Sequence, residues 1–195
     1  MERIKSARHH WWPECISKHW SDPKGFTNWI IPDGTIKRVP PAKLGMIGNG
    51  HHIKLSKNLA NSSPFDMNFE NEFDTADSNF PAIIEWLTHL SRTPLFDHQL
   101  QERFLPQSSV DEQLKMLTES VVSLVVRNPQ NRVASVLLAE RLRGKPSSQE
   151  RNALIGLNIM HSQRMISDSI GCNGKFVILF STGKEFIFGD GFFMT

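Results

Sequence analysis

Tyrosine is missing from this 195-residue sequence altogether, and cysteine appears only at Cys15 and Cys172. Without a phenol, the 13 Phe and 5 Trp are biased towards packing. Two distant cysteines make neither a disulfide framework nor a C-x-x-C pair, so a reduced cytoplasm is the expected setting. The apolar share is 39%, and no run approaches the roughly 18 apolar residues of a transmembrane helix, so no membrane partner is expected. The opening MERIKSARHH carries charge but no apolar core, unlike a signal peptide. Charge of one sign is lacking too. The 22 basic and 20 acidic side chains leave +2, too little by itself to argue for nucleic acid or an anionic surface. There is no G-x-S-x-G and no P-loop, GMIGNG lacks the spacing of G-x-G-x-x-G, and Cys15 stands in no recognisable nucleophile pattern.

What is present is one domain's length of chain, residues 1–195, in three blocks. Residues 26–40, FTNWIIPDGTIKRVP, predict a hairpin around the PDG turn. A short strand follows around His52 to Leu55. From Phe80 the period changes: Ile83, Ile84, Leu87 and Leu90 recur at helical spacing, with Ser78 as N-cap and Pro81 in the first turn. A second helix opens on the capping box Ser109-x-x-Glu112, and a third runs through Val133 to Leu142 after the RNPQN break. A fourth starts at Ser147-x-x-Glu150 and stops at Gly171. KFVILF and EFIF predict a terminal strand pair. The expected class is therefore α+β: an N-terminal hairpin and short strands, a central bundle of four helices, and a C-terminal hairpin in the same sheet.

The candidate chemistry lies mostly in the first half. RHHWWPEC packs two histidines, two tryptophans, a proline and a glutamate into consecutive positions, and a second pair stands at His51-His52. Neighbours on a strand point to opposite faces, so one member of each pair is expected to serve a site. One imidazole from each pair plus a carboxylate matches the ligand set of zinc, manganese or iron. If DMNFENEFDTADSNF is helical, Asp66, Glu70, Asp74 and Asp77 share one stripe, which needs a cation or arginines to relieve repulsion. Alternatively these acids form a solvated face at a helix start. Arg127, before a proline-set bend, either clamps a phosphate or carboxylate or caps its own helix. Asp190, between Gly189 and Gly191, is either an exposed ligand acid or part of a polar turn.

Arg8-His9-His10-Trp11-Trp12-Pro13 gives the order basic residue, His-His, aromatic, any residue, Pro. With the Gly-turn hairpin WIIPDGTIKRV, the acidic FENEFDTADSNFPAIIEWL, Arg127-Asn128-Pro129 and the late FIFGDGF, it resembles an uncharacterised bacterial and phage-associated family. That family is catalogued only as domain of unknown function four-two-three-eight. The resemblance spans nearly the whole chain, with two departures. Phe192 stands where members carry the Pro of Asp-x-Pro, and the chain stops where they continue, which implies a truncated frame or a short subfamily. It implies domain boundaries and a phage-associated setting, but no activity.

Two functional readings stay open. In the first, the chain is a metal-dependent nuclease or related hydrolase in phage–host conflict. Its catalytic set is His10, Glu70, Asp190 and Arg127, and its ligand pool for magnesium, manganese or zinc is His9, His10, His52, Glu70 and Asp74. Arg3, Lys5, Arg8, Lys18, Lys37 and Arg38 gather near this set in sequence, which suits a nucleic-acid partner. In the second, it is a non-catalytic sensor or binding module that docks a protein through Trp11, Trp12, Trp20 and Trp29. An exposed C-terminal strand would add a route to oligomers. One distance separates the readings: an N-terminal histidine within about 5 Å of Glu70, Asp74 or Asp190 favours the enzyme.

Overall fold

A computed structural model describes residues 7–31, 33–56, 63–91 and 106–178. The chain is α+β. Its elements are β1 (Arg8–His10), α1 (Glu14–Lys18), β2 (Thr27–Ile30), β3 (Ile36–Val39), β4 (Met46–Gly48), β5 (His52–Ile53) and β6 (Met67–Asn68). Four longer helices follow: α2 (Asp74–Thr88), α3 (Asp111–Arg127), α4 (Pro129–Arg143) and α5 (Ser148–Ile170). The strands do not merge into one sheet. Among the described residues they form three antiparallel pairs: β1 with β4, β2 with β3, and β5 with β6. The expected C-terminal hairpin lies outside the described residues from 179 onward, as does Asp190, and residues 174–178 carry no regular element.

Local chemistry explains most helix ends. Ser147 Oγ accepts from the Glu150 N–H at 3.2 Å, and Gly171, at φ +50°, terminates the same helix. At α4 the RNP segment is the expected break, and it also supplies the start signal of the next helix. Asn128 Oδ1 accepts from the Gln130 N–H at 2.7 Å, and Pro129 occupies the first helical position, where no N–H is needed. The predicted Ser109 box shifts by one residue, so that Gln113 Oε1 accepts from the Val110 N–H. Helix α2 starts one turn before Ser78. Phe73, Ala76, Phe80 and Ile83 are all buried, and their spacing continues the apolar stripe back to a 3-10 turn at Glu70–Phe73.

The core has two parts. Ile53, Phe69, Phe73, Val122, Val126, Val136, Ile155 and Ile159 join β5 and the 3-10 turn to α3, α4 and α5. Trp12, Phe80 and Leu124 close the other end against Trp11, Cys15 and Ile16. The strand β5 lies directly on α5 because residue 156 is glycine. A Cβ there would stand 2.5 Å from Ile53 Cγ1 and 3.1 Å from Phe69 Cε1. Gly156→Val is therefore expected to lower stability by about 1–3 kcal/mol through overpacking. Urea unfolding of the variant checks this, and wild-type stability would contradict the close approach.

Candidate functional site

Strand β1 delivers the first histidine pair, and its alternation divides them. His9 is fully buried, whereas the His10 ring lies on the other side, with Nε2 3.2 Å from the Ala42 carbonyl oxygen. Beyond β4 the chain turns sharply at Asn49, which adopts a left-handed φ of +53°. The turn is tied to β1: Asn49 N–H donates to the Ala7 carbonyl at 2.8 Å, and Asn49 Oδ1 accepts from the Ala7 N–H. Next come His51 and His52, and here strict alternation fails. His51 belongs to the turn rather than to the strand, so both rings pack against His9. His51 stacks on His9 with centroids 4.8 Å apart, and His52 meets it edge-on at 4.6 Å. Asn152 of α5 fixes the second pair, donating to the His52 carbonyl and accepting from the Lys54 N–H.

The hydrogen bonds set the tautomer of His9. Its Nδ1 accepts from the His51 backbone N–H at 2.9 Å, so the neutral ring carries its proton on Nε2. That atom lies 3.3 Å from Glu70 Oε2, within ion-pair distance though not aligned as a hydrogen bond. Glu70 opens the 3-10 turn and is 46% exposed, so the pair runs from a dry interior to solvent. His51 Nδ1 and both ring nitrogens of His52 are buried with no hydrogen-bond partner, as is Nη1 of Arg132.

Burial dominates the electrostatics. It holds His9 below the usual histidine range, against the pull of Glu70, and drives His51 to about 2 and His52 to about 4. The Arg132 charge adds to the depression of His9 and His51, and the Arg132 guanidinium is itself held low by burial. At neutral pH the cluster is therefore three uncharged imidazoles beside a partly desolvated cation. Burial also pushes the Cys15 thiol up, which disfavours a thiolate nucleophile there.

The other acidic and basic candidates have separate places. Asp66 is not on a helix with Glu70; its carboxylate accepts from the Leu55 and Ser63 N–H groups instead. Asp74 is exposed at the start of α2. Asp77 leaves the expected stripe to pair with Arg127, whose Nη1 and Nη2 reach its two carboxylate oxygens at 2.9 and 2.5 Å. Arg127 also donates to the Ser123 and His10 carbonyls and is 1% exposed, so its guanidinium is fully committed inside the protein. Of the expected ligand pool, His9, His52 and Glu70 come together; His10 and Asp74 do not join them. The rings of His9 and His51 lie 18° from parallel, so their in-plane lone pairs do not converge on one point. Among the described residues no group of three or more His, Cys, Asp or Glu side chains is arranged to hold a metal ion. Arg3 and Lys5 lie outside the described residues.

Sequence reasoning settled on His52 rather than His51 and on Arg127 rather than Arg132. A left-handed Asn before a His-His pair is the available signal for His51. For Arg132, five residues beyond Arg127 across a helix start, we find none. No family model, curated protein or solved structure matches the chain, so the resemblance of its opening motif stands on the residues alone.

The neutral cluster has a consequence for stability. His51 and His52 have folded pKa values below the ordinary 6.5, so the unfolded chain takes up protons first as pH falls. Stability is full above pH 6.5 and is lost below it, down to about 4 for His52 and about 2 for His51. The expected slope is roughly 1.4 kcal/mol per pH unit for each such histidine. Urea unfolding across this window should show the slope reduced in His52→Asn. A pH-independent stability would contradict the buried neutral state.

Proposed function

We propose that this chain is a hydrolase acting on phosphodiester bonds of nucleic acid, with His9 and Glu70 as its proton-handling pair. The supporting observation is the 3.3 Å approach of a fully buried imidazole to a half-exposed carboxylate, beside a buried arginine donor with no protein partner. Glu70 takes the proton from an attacking water, whose oxygen bonds to phosphorus as the ester bond breaks. The proton is then available to the departing oxygen. His9 is the positioning residue: its Nε2 stands 3.3 Å from the carboxylate, while the His51 backbone holds its ring. Arg132 supplies positive charge for the phosphate, a role open to it because Nη1 is unengaged.

A divalent ion belongs to this reading as a co-reactant. His52, whose ring nitrogens have no partner, and Glu70 offer nitrogen and carboxylate donors of the kind zinc or manganese accept, whereas both His9 nitrogens are committed, Nδ1 to the His51 N–H and Nε2 to its proton; a bound ion would supply charge stabilisation. The phage–host setting rests on the resemblance of the opening motif. The second reading, a binding module, is favoured by the exposure of Trp20 and Trp29, while Trp12 belongs to the core.

The test is cleavage of single-stranded and duplex DNA and RNA, with EDTA or with added magnesium, manganese or zinc. At least one substrate should be cut, and Glu70→Gln should slow cutting by roughly a hundredfold or more. His10→Ala should change the rate little, because its ring faces the Ala42 carbonyl. No cleavage of any substrate under any metal condition would remove the hydrolase reading.

A further inference from the structure

The hairpin β2–β3 is built unlike the rest of the molecule. Its register pairs Thr27 with Val39, Asn28 with Arg38, Trp29 with Lys37 and Ile30 with Ile36. Directly paired residues share a face. At the base, Thr27 is buried and its hydroxyl donates to the Ser17 carbonyl, tethering the hairpin to α1. Further out, everything on β2 is exposed: Trp29 is 48% accessible, and Ile30 and Ile36 are open on the other face. A two-stranded ribbon with so little covering is marginal by itself and gains from a ligand that covers its apolar surface.

Charge says which ligand. Between residues 14 and 43 there are five basic side chains (Lys18, Lys24, Lys37, Arg38 and Lys43) against Glu14, Asp22 and Asp33, a local +2. The whole chain carries only +2, so its entire formal excess sits in this segment. All five cations are exposed. Asp22 neutralises Arg38, which also lies over the Phe26 ring at 5.1 Å. Glu14 pairs with Lys18 at 3.1 Å, which leaves Lys24, Lys37 and Lys43, and Lys37 is directly opposite Trp29.

We propose that the β2–β3 hairpin with its preceding turn is a grip for single-stranded nucleic acid, its Trp29 indole stacking on an unpaired base while Lys37, Lys24 and Lys43 neutralise flanking phosphates. The inference rests on the reading of nucleic acid as the ligand class but not on cleavage. An indole presented from a ribbon can stack only on a base that has left its duplex, which is why single strands are the occupant. A folded protein partner would be served by the apolar residues, but would leave Lys24, Lys37 and Lys43 without a counterpart. A membrane surface would use the charge without needing a flat ring opposite a lysine.

The experiment measures binding of fluorescently labelled single-stranded and duplex DNA of equal length to the full chain by anisotropy, in the Glu70→Gln background to suppress cutting. Vesicles of anionic phospholipid form a third arm. Single strands should bind more tightly than duplex. Trp29→Ala should weaken binding roughly tenfold, the loss of one stacked base. Lys37→Gln should reduce the steepness of the salt dependence by about 0.7, one phosphate contact on a single strand. Both positions are exposed, so both variants should unfold as wild type does, and this is measured alongside. Equal affinity for duplex, an unchanged Trp29→Ala, or tighter binding to vesicles than to single strands would overturn the grip. Binding without cleavage by the wild-type chain would overturn the hydrolase and leave the grip standing. Cleavage unaffected by Trp29→Ala, with unchanged affinity, would do the reverse.

Discussion

The buried pairing of Arg127 with Asp77 is the interaction on which the rest of the arrangement depends. Removing a guanidinium from water costs several kcal/mol, and only good geometry with further hydrogen bonds offsets it. Arg127 has both. Its contacts to Asp77, Ser123 and His10 use four of the five N–H donors, and Phe73 lies 4.6 Å from the guanidinium carbon across its ring face. These partners come from β1, α2 and α3, so a single side chain fixes where the first strand meets the helices. Once His10 is held by its carbonyl, alternation leaves His9 facing inward. The histidine cluster is therefore a consequence of an ion pair whose arginine also helps to keep His51 uncharged.

The cluster itself is not what packing alone would select. Three imidazoles occupy a solvent-shielded volume, several of their nitrogens lack partners, and Arg132 lies near enough for its charge to depress two of them. A buried polar atom left unpaired costs about 1–3 kcal/mol, and leucine or phenylalanine in the same space would avoid the penalty. A sequence that keeps histidine at positions 9, 51 and 52 accepts several such penalties. Groups strained in this way are common where chemistry or ligand recognition is carried out, and that supports a site at the Glu70 edge rather than in the exposed faces of α4 and α5.

What could be read from the chain in advance follows from how local each signal is. The start of α5 was legible because Ser147 and Glu150 cap within one turn, and the β2–β3 hairpin because Asp33-Gly34 sits between its strands. The division of His9 from His10 was legible as a rule, but the choice of which faces inward depends on Arg127, more than a hundred residues away. Asp77 illustrates the same limit. Its helical spacing placed it with Glu70 and Asp74, yet residues 64–68 hold a turn and the short strand Met67–Asn68, and the stripe never exists as one face. The Asn49 turn was opaque for a different reason. Adjacent histidines read as a strand pair, and only a left-handed residue before them lets both rings reach the same neighbour.

The overall charge conceals its own distribution in a related way. A total of +2 weighs against a nucleic-acid partner if charge is treated as a property of the molecule. A ligand responds to what lies within a Debye length, about 8 Å at physiological ionic strength, so the distribution matters more than the sum. Several acids pair with arginines along the helices: Asp77 with Arg127, Glu72 with Arg164, Glu140 with Arg151. Such pairs cancel charge along the helices and leave the hairpin's lysines unopposed. A nearly neutral protein can thus carry a basic ribbon in one place and an uncharged histidine cluster in another, and under the proposed function the first would meet phosphates and a free base.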